Sequence, residues 1–390
     1  MEKMLINKVP RINVVDALRG FAVLAILLVH NIEHFIYPVY PTGSSAWLDV
    51  LDKGVRDVVF SLFAGKAYAI FALLFGFTFY IQSKNQQMKG ADFGYRFLWR
   101  LLLLLLFATL NALFFPGGDV LLLFAVVGTV LFVVRHWSDK AILLLAIFFL
   151  LQPMEWYHYV RHLADASYVL PDYGVGAMYY EVYKATESGS LWEFISCNVT
   201  LGQKVSFMWA VGGGRLFQTA GLFLIGCYMG RKELFVIDGA KLRMWIKVLI
   251  IAAVCFALLH SLHSLIVKCG SMMEQTVGVV FDMWQKLAFT FVLIASFILL
   301  YQSKRVQGCV GYLEYYGRMS LTNYVSQSVL GAVIYFPVAL NLAPYCGYTV
   351  SLIVAFAVFA LQLYFCKWWL KNHRQGPLEA LWHKLTWFKR

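Results

Sequence analysis

Long apolar runs recur from one end of the chain to the other, and no other feature of the sequence limits its fold as much. An α-helix rises about 1.5 Å per residue, so roughly 20 apolar residues cross a hydrocarbon layer about 30 Å thick. Hydrophobic residues make up 61% of the chain and charged residues only 14%, whereas soluble domains carry about 25% charged residues. The sequence therefore predicts an all-α, polytopic bundle of transmembrane helices.

Charges, glycines and prolines divide the apolar runs into about ten spans. The predicted spans are residues 15–37, 57–82, 96–115, 119–135, 140–158, 214–230, 244–267, 277–302, 317–337 and 347–370. The whole chain, residues 1–390, is then a single integral membrane domain.

Lysine and arginine exceed aspartate and glutamate by 33 to 21. Most of the basic residues fall on one side of the predicted bundle, and the short loops near Pro116 and Pro344 on the other side contain none. Because basic loops stay in the cytoplasm, we predict that both termini are cytoplasmic and that the chain lies in the inner membrane of a bacterial cell. The basic excess then needs no nucleic acid partner.

Residues 159–213 form the one long predicted outer loop. The loop is rich in Tyr and Trp, which are frequent at membrane interfaces, and it could carry short interfacial helices. A surface lid without chemistry explains the same composition. The seven cysteines show neither CxxC nor another metal-ligand spacing, so the sequence predicts no disulfide framework and no metal site.

The first span has an unusual stripe of ionisable residues. At about 100° per residue, Asp16, Arg19, His30, Glu33 and His34 fall within one narrow arc of the helix. Ionisable residues inside a span commonly face a wet cavity, so the stripe resembles the lining of an internal path. The alternative is an interfacial Asp16–Arg19 ion pair, with the histidines at the outer end of the helix.

Other spans carry polar side chains that could complete the same cavity. The candidates are Lys66, Gln218, Ser320, Asn323 and Gln327, together with Asp119 at the start of the fourth span. For the uncharged residues, hydrogen bonding between packed membrane helices is an equally available explanation.

The nucleotide-binding and hydrolase motifs GxxxxGK[ST], GxGxxG, GxSxG and HExxH are absent from the sequence. The remaining chemistry is that of histidines, carboxylates and arginines at a membrane cavity. A histidine can act there as a general base on a hydroxyl or amine, or as a transient acyl carrier. Arginines at cytoplasmic helix ends can bind phosphate groups.

Six segments carry a resemblance to a known family: VDALRGFAVLAILLVHNI (15–32), GKAYAIFALLFGFTF (65–79), GDVLLLFAVVG (118–128), QTAGLFLIGCYMGR (218–231), GRMSLTNYVSQS (317–328) and RQGPLEALWHKLT (374–386). On these segments the chain resembles the YeiB family of bacterial membrane proteins of unknown function over nearly its full length. That family is similar in turn to the transmembrane acyltransferases that include heparan-α-glucosaminide N-acetyltransferase. The resemblance implies transfer of an acyl group from cytosolic acyl-CoA to an acceptor on the far side of the membrane.

In the acyltransferase hypothesis, the resemblance places the catalytic histidine at His30 or His34. Glu33 or Asp119 would orient its ring. The donor is acyl-CoA or acetyl-CoA, and its phosphates are expected to meet arginines at cytoplasmic helix ends, namely Arg100, Arg231, Arg318 and Arg374. Membrane lipid and an unidentified outer-side acceptor are the other expected partners, and homodimerisation is left open.

Two other functions stay open at the level of the sequence. The same cavity could serve a transporter or exporter of a small hydrophobic or anionic solute. The chain could also be a non-catalytic membrane partner. Thioester hydrolysis coupled to acceptor labelling is expected only of the transferase, and flux of unmodified solute only of the transporter.

Overall fold

The computed structural model describes residues 11–33, 35, 41, 44–268 and 271–388. Within these ranges the chain is helical and contains no β-strand, so the predicted all-α class is confirmed. His34, one of the two candidate histidines, lies outside the described residues.

Twenty α-helices are present in the described part of the chain. They are α1 (Asn13–Ile32), α2 (Ala46–Phe63), α3 (Lys66–Gln87), α4 (Gly94–Ala112), α5 (Val120–Val127), α6 (Thr129–Val133), α7 (Asp139–Leu150), α8 (Pro153–Ala164), α9 (Val175–Glu187), α10 (Leu191–Cys197), α11 (Gln203–Gly212), α12 (Arg215–Arg231), α13 (Gly239–Ile266), α14 (Ser271–Met273), α15 (Val279–Tyr301), α16 (Lys304–Val310), α17 (Tyr312–Arg318), α18 (Ser320–Tyr335), α19 (Tyr348–Asn372) and α20 (Pro377–Thr386). Two π-helical turns (Asn198–Gly202 and Glu274–Gly278) and one 3-10 turn (Ala343–Tyr345) complete the secondary structure.

Six helical segments among the described residues are long and apolar enough to cross a membrane. They are Asn13–Ile32, Ala46–Gln87, Gly94–Ala112, Gly239–Ile266, Glu274–Tyr301 and Tyr348–Asn372. Helices α7 and α8, which meet at a bend of 47°, add a seventh if they cross together. Helices α12 and α18 and the α5–α6 pair are shorter, so the count of ten spans stays a prediction.

The second predicted span, residues 57–82, contains a break between two helices. Helix α2 ends at Phe63, and α3 begins at Lys66 after Gly65, whose φ of 76° lies in the left-handed region. A residue without Cβ adopts that conformation at little cost. Lys66 is therefore the first residue of α3, within the apolar segment Ala46–Gln87.

Two helix pairs approach closely at glycines. A methyl group on Gly317 of α17 would lie 1.9 Å from the carbonyl oxygen of Asp16 on α1, and one on Gly226 of α12 would lie 1.9 Å from that of Leu73 on α3. Small residues let membrane helices pack backbone against backbone. These contacts fix α1 against α17 and α3 against α12, and of these helices α1, α3 and α17 contribute to the site described below.

The bundle has two ends, which we call the near end, where α1 begins, and the far end, where α1 finishes. Residues 159–213, predicted as a long outer loop, contain the end of α8 together with α9, α10 and α11.

At the near end, α20 folds back against α4. The Trp99 indole donates to the Leu385 carbonyl at 3.0 Å, and Arg96 donates to the Thr386 carbonyl at 2.9 Å. In return the Trp382 indole donates to the carbonyl of Arg100 at 3.2 Å.

Candidate functional site

A cavity of about 360 Å³ opens at the near end, enclosed by α1, α3, α4, α5, α17, α18 and α20. Its lining contains both basic and apolar residues. Five arginines lie along it: Arg11, Arg19, Arg100, Arg318 and Arg374. The rest is mainly apolar, with Phe71, Leu74, Phe75, Phe97, Leu101, Leu104, Leu121 and Phe124. The cavity is therefore amphiphilic, with guanidinium groups beside an apolar chamber.

The two arginines contributed by the start of α1 share one carboxylate. Asp16 accepts a hydrogen bond from Arg11 and a second, of 3.0 Å, from Arg19. Arg19 also donates to the hydroxyl of Thr78 on α3 at 3.1 Å. Asp16 itself borders a smaller adjoining pocket. The predicted Asp16–Arg19 pair thus forms, and it holds one guanidinium at the cavity wall.

Arg100 is held at the opposite wall by the C-terminal helix. Its guanidinium carbon lies 4.0 Å from the centroid of the Trp382 ring, and it donates to the Thr386 hydroxyl at 3.2 Å. A planar guanidinium over an aromatic face is a favourable cation–π arrangement. The contact keeps the charge of Arg100 beside the cavity.

Arg318 and Arg374 lie where two helices are interrupted. Helix α17 ends at Arg318 and α18 begins at Ser320, and Arg318 donates to the carbonyl of Arg374 at 3.1 Å. The Nε atom of Arg318 is buried and has no hydrogen-bond partner among the described residues. No carboxylate of the described residues forms an ion pair with either guanidinium. Both arginines therefore remain available to an anion.

Glu379 of α20, the one acidic residue among the described residues of the lining, already accepts several hydrogen bonds. Its carboxylate accepts from the backbone N–H of Leu321 at 2.7 Å, from that of Thr322 at 3.1 Å, and from the Thr322 hydroxyl at 2.6 Å. Glu379 thereby caps the first turn of α18, which has no capping side chain of its own. Burial raises the pKa of Glu379, and these hydrogen bonds partly oppose the rise.

Tyr324 of α18 closes the inner end of the cavity. Its hydroxyl donates to Asp119 Oδ1 at 3.3 Å, and the same oxygen accepts from the backbone N–H of Leu121 at 2.8 Å, which caps α5. His30 lies beyond Tyr324, with the two ring centroids 6.0 Å apart, and its ring is 4.6 Å from that of Phe115. His30 is buried and is not part of the cavity lining.

Of the residues that the sequence singled out, the cavity brings together Arg19, Arg100, Arg318, Arg374 and Ser320. Arg231 does not join them. It donates to the carbonyls of Arg135 and Trp137 and pairs with Asp139 at 3.1 Å, so it fastens the turn before α7.

Of the predicted cavity face of α18, Ser320 lines the cavity, and Asn323 and Gln327 do not. Asn323 donates to the carbonyl of Tyr316 at 2.9 Å, and Gln327 donates to that of Val23 at 3.4 Å. Both are helix-packing contacts, whereas Ser320 and Tyr324 face the cavity. Gln218 also packs between helices, because it donates to the carbonyl of Met283 and lies 3.2 Å from the Tyr68 hydroxyl.

The remaining candidates lie at the far end. Lys66 donates to the carbonyl of Ser61 at 2.9 Å, and Glu33 follows the last residue of α1.

Several residues of the site escaped the sequence argument, among them Tyr324, Glu379 and Trp382. Tyr324 carried a usable signal, since it stands four residues after Ser320 and so shares its helix face. Glu379 and Trp382 carried none, because their partners lie far away in the sequence and only the folded chain brings them together.

Fold and site together define a helical membrane protein with an amphiphilic, arginine-lined cavity at one end. Residues 229–389 match the family described as a protein of unknown function, DUF418. The chain is 27% identical over 398 residues to the uncharacterized protein YxaH of Bacillus subtilis (strain 168), a match covering 96% of this chain and 94% of that protein. It is 26% identical over 385 residues to an uncharacterized 39.9 kDa protein in the amylase 3′ region of Bacillus acidopullulyticus, again covering 96% and 94%. No solved structure matches the chain.

The residues matched to the family include Arg318, Arg374 and Glu379, but not His30 or Asp119. The match thus covers the interrupted α17–α18 wall of the cavity. The names of the relatives state no activity.

Proposed function

We propose that the protein is an acyl-CoA-dependent transmembrane acyltransferase of the bacterial inner membrane, with the near end in the cytoplasm. One observation carries the proposal: a cavity with arginines along its wall and an apolar interior ends at Tyr324, directly before the buried His30. Acyl-CoA has the same division, with a phosphorylated nucleotide at one end and an uncharged arm and acyl chain at the other. The sequence resemblance to transmembrane acyltransferases points to the same donor.

The size of the cavity limits how the donor binds. Small-molecule pockets range from about 300 to 1,000 Å³, and a volume of about 360 Å³ lies at the lower end of that range. The cavity therefore accommodates the arm and a short acyl chain, while the nucleotide stays at the mouth. Arg11, Arg318 and Arg374 are placed to meet its phosphates there, because guanidinium groups bind phosphate in a bidentate manner.

Transfer would require the acceptor and the thioester to meet at His30. The acceptor hydroxyl or amine attacks the thioester carbonyl while His30 takes its proton. The carbon–sulfur bond then breaks, the acyl group stays on the acceptor oxygen or nitrogen, and the proton passes from His30 to the departing CoA sulfur. Because Tyr324 separates the cavity from His30, the Tyr324 ring must move aside before this step.

The donor site can be tested by binding of CoA to the purified full chain in nanodiscs. Arg318→Ala and Arg374→Ala should each weaken CoA binding about tenfold, since a hydrogen bond to a charged group contributes about 1.5–3 kcal/mol. Arg305→Ala is the matched control, because Arg305 is an exposed near-end arginine outside the cavity. Equal CoA affinities of Arg318→Ala, Arg374→Ala and Arg305→Ala would show that CoA does not bind in this cavity.

Transfer itself is tested with His30→Ala. This variant should retain CoA binding but lose acyl transfer to acceptors in a membrane extract. Transfer at the parent rate by folded His30→Ala protein would contradict the histidine mechanism.

A second candidate is an exporter of an amphiphilic anion. The observation in its favour is the interruption between α17 and α18 at the cavity wall, because interrupted membrane helices are common at transporter substrate sites. An exporter moves an intact acyl thioester or other anion across proteoliposomes without releasing free CoA. The transferase releases free CoA only when an acceptor is present.

A further inference from the structure

Helices α3 and α12 begin side by side at the far end, and their first turns are built alike. Each starts after a glycine with positive φ, 76° at Gly65 and 68° at Gly214, and each has a basic first residue, Lys66 or Arg215. Neither helix has a capping side chain. The free N–H groups of two neighbouring helix starts therefore add partial positive charge to two cationic side chains.

A third cation, Lys286 of α15, joins them. A methyl group on Gly65 would lie 2.9 Å from Cδ of Lys286 and 3.6 Å from Nη2 of Arg215. Lys66 lies within electrostatic range of both residues. Two basic side chains, those of Lys286 and Arg215, thus lie against Gly65, and Lys66 follows this glycine in the chain.

Neighbouring carboxylates neutralise only one of the three cations of this cluster. Asp282 pairs with Lys286 and also accepts from the side chain of Gln285 at 3.0 Å. Among the described residues, Lys66 donates to the backbone carbonyls of Phe60 and Ser61. The guanidinium of Arg215 lies 4.4 Å from the Trp209 ring and forms no ion pair with the described residues. Glu33 lies within electrostatic range of Lys286.

An unpartnered amide also faces the start of α12. Gln152 is fully buried, and neither its Oε1 nor its Nε2 has a hydrogen-bond partner in the described structure. Its Oε1 would lie 3.2 Å from a methyl group on Gly214, and Oε1 of the buried Glu155 would lie 3.3 Å from the same point. A buried amide without partners loses its hydration without compensation. Rotation about the Cγ–Cδ bond exchanges the oxygen and nitrogen of this amide, so its N–H groups can be satisfied by an acceptor at this helix start.

We propose that Lys66, Arg215, Lys286 and Gln152, with the starts of α3 and α12, form a second binding site that takes a phosphate or carboxylate group entering from the far end. An oxyanion accepts hydrogen bonds from the free backbone N–H groups, from the two uncompensated cations and from the Gln152 amide. Helix starts combined with basic side chains are well suited to bind such anions. The site does not depend on the proposed transfer. If the protein is the proposed transferase, the ligand of this second site is the acyl acceptor, and the acceptor carries an acidic group.

The test is phosphate binding to the full chain in nanodiscs of phosphatidylcholine, measured by the shift of its thermal unfolding at constant ionic strength. All proteins carry Arg318→Ala and Arg374→Ala, so that near-end phosphate binding is removed. Arg215→Gln is compared with Lys204→Gln, which removes one exposed cation from α11 at the same end of the bundle. We expect Arg215→Gln to weaken inorganic phosphate binding at least tenfold and Lys204→Gln to leave it unchanged.

A second variant and a second ligand complete the test. Lys66→Gln is the second variant in case loss of the Arg215 ring contacts prevents folding, and it should weaken phosphate binding in the same way. Nanodiscs containing phosphatidylglycerol replace free phosphate in a parallel series. Stabilisation by the lipid alone identifies a headgroup as the ligand, and stabilisation by free phosphate identifies a soluble anion.

Equal stabilisation of Arg215→Gln, Lys66→Gln and Lys204→Gln by both ligands would overturn the proposal. CoA binding by the single near-end variants is a separate measurement, so failure of the donor site and failure of the far-end site are distinguishable.

Discussion

Replacing Glu379 with alanine should loosen the wall of the cavity, because one carboxylate ties α20 to the start of α18. The substitution removes three hydrogen bonds, of 2.7 Å, 3.1 Å and 2.6 Å, to Leu321 and Thr322. It leaves two backbone N–H groups of the first turn of α18 without a cap. Loss of a helix N-cap costs about 0.5–2 kcal/mol, and a buried group that loses its partner costs about 1–3 kcal/mol. We therefore expect a loss of about 2–3 kcal/mol.

The Glu379→Gln variant tests the effect of the charge alone, because it keeps the shape of the side chain and removes its charge. Burial raises the pKa of Glu379, with the hydrogen bonds to Thr322 and Leu321 opposing it, so burial of the charge outweighs those bonds. A glutamine retains an acceptor oxygen and has no charge to bury, so its cost should stay below about 1 kcal/mol.

The sign of the pH dependence follows from the same shift. A folded pKa above the unfolded one contributes stability that is complete below the unfolded pKa and is lost as pH rises through the folded pKa. The parent should therefore lose stability as the pH rises from the unfolded pKa to the folded pKa of Glu379, and Glu379→Gln should lose less.

The assay combines unfolding of the full chain in sodium dodecyl sulfate with hydrogen exchange of residues 320–325. Glu379→Ala should accelerate exchange at the amides of Leu321 and Thr322, and Lys384→Ala, an exposed position on the same helix, should not. Parent-like exchange and stability in Glu379→Ala would refute the capping argument.

Three other predictions follow from the packing, from the inner end of the cavity and from the charge distribution. Gly317→Ala should destabilise the protein by several kcal/mol, because its methyl group would lie 1.9 Å from a backbone oxygen of α1; thermal unfolding measures the loss, and Gly308→Ala, which meets nothing within 4 Å, is the control. Tyr324→Phe should leave CoA affinity within about threefold of the parent and alter the rate of acyl transfer, since it removes only the hydroxyl that donates to Asp119; an unchanged rate would exclude a role for this hydroxyl. A topology reporter inserted after Ser188 should be active only on the side opposite the cytoplasm, and a cytoplasmic result would contradict the topology drawn from the basic loops.

The helical class was predictable because hydrophobic length alone specifies it, but helix interruptions were not. The break at Gly65 lies inside a continuous apolar pattern, and hydropathy does not report the left-handed conformation that ends α2. The same limit applies to the predicted span 317–337, which begins at Gly317, before the turn at Met319 that separates α17 from α18.

The candidate site was predictable in part for a similar reason. Arginines at helix ends can be recognised locally, and Arg100, Arg318 and Arg374 do line one cavity. Arg231 has the same local pattern, yet its guanidinium is taken up by Asp139 and two carbonyls. Which arginine finds a partner is decided by contacts between distant segments, and a single sequence does not reveal them.

The wall formed by α4 and α20 also sets an order of events during synthesis. Arg100 and Thr386, which bond across this wall, are 286 residues apart in the chain. At a typical translation rate of about 5–20 residues per second, α4 waits roughly 15–60 seconds in the membrane before α20 emerges from the ribosome. During that interval the polar groups of Arg96, Trp99 and Arg100 must form hydrogen bonds with water or lipid headgroups. A nascent chain halted before Pro377 therefore exposes a basic, aromatic helix face that the finished protein covers.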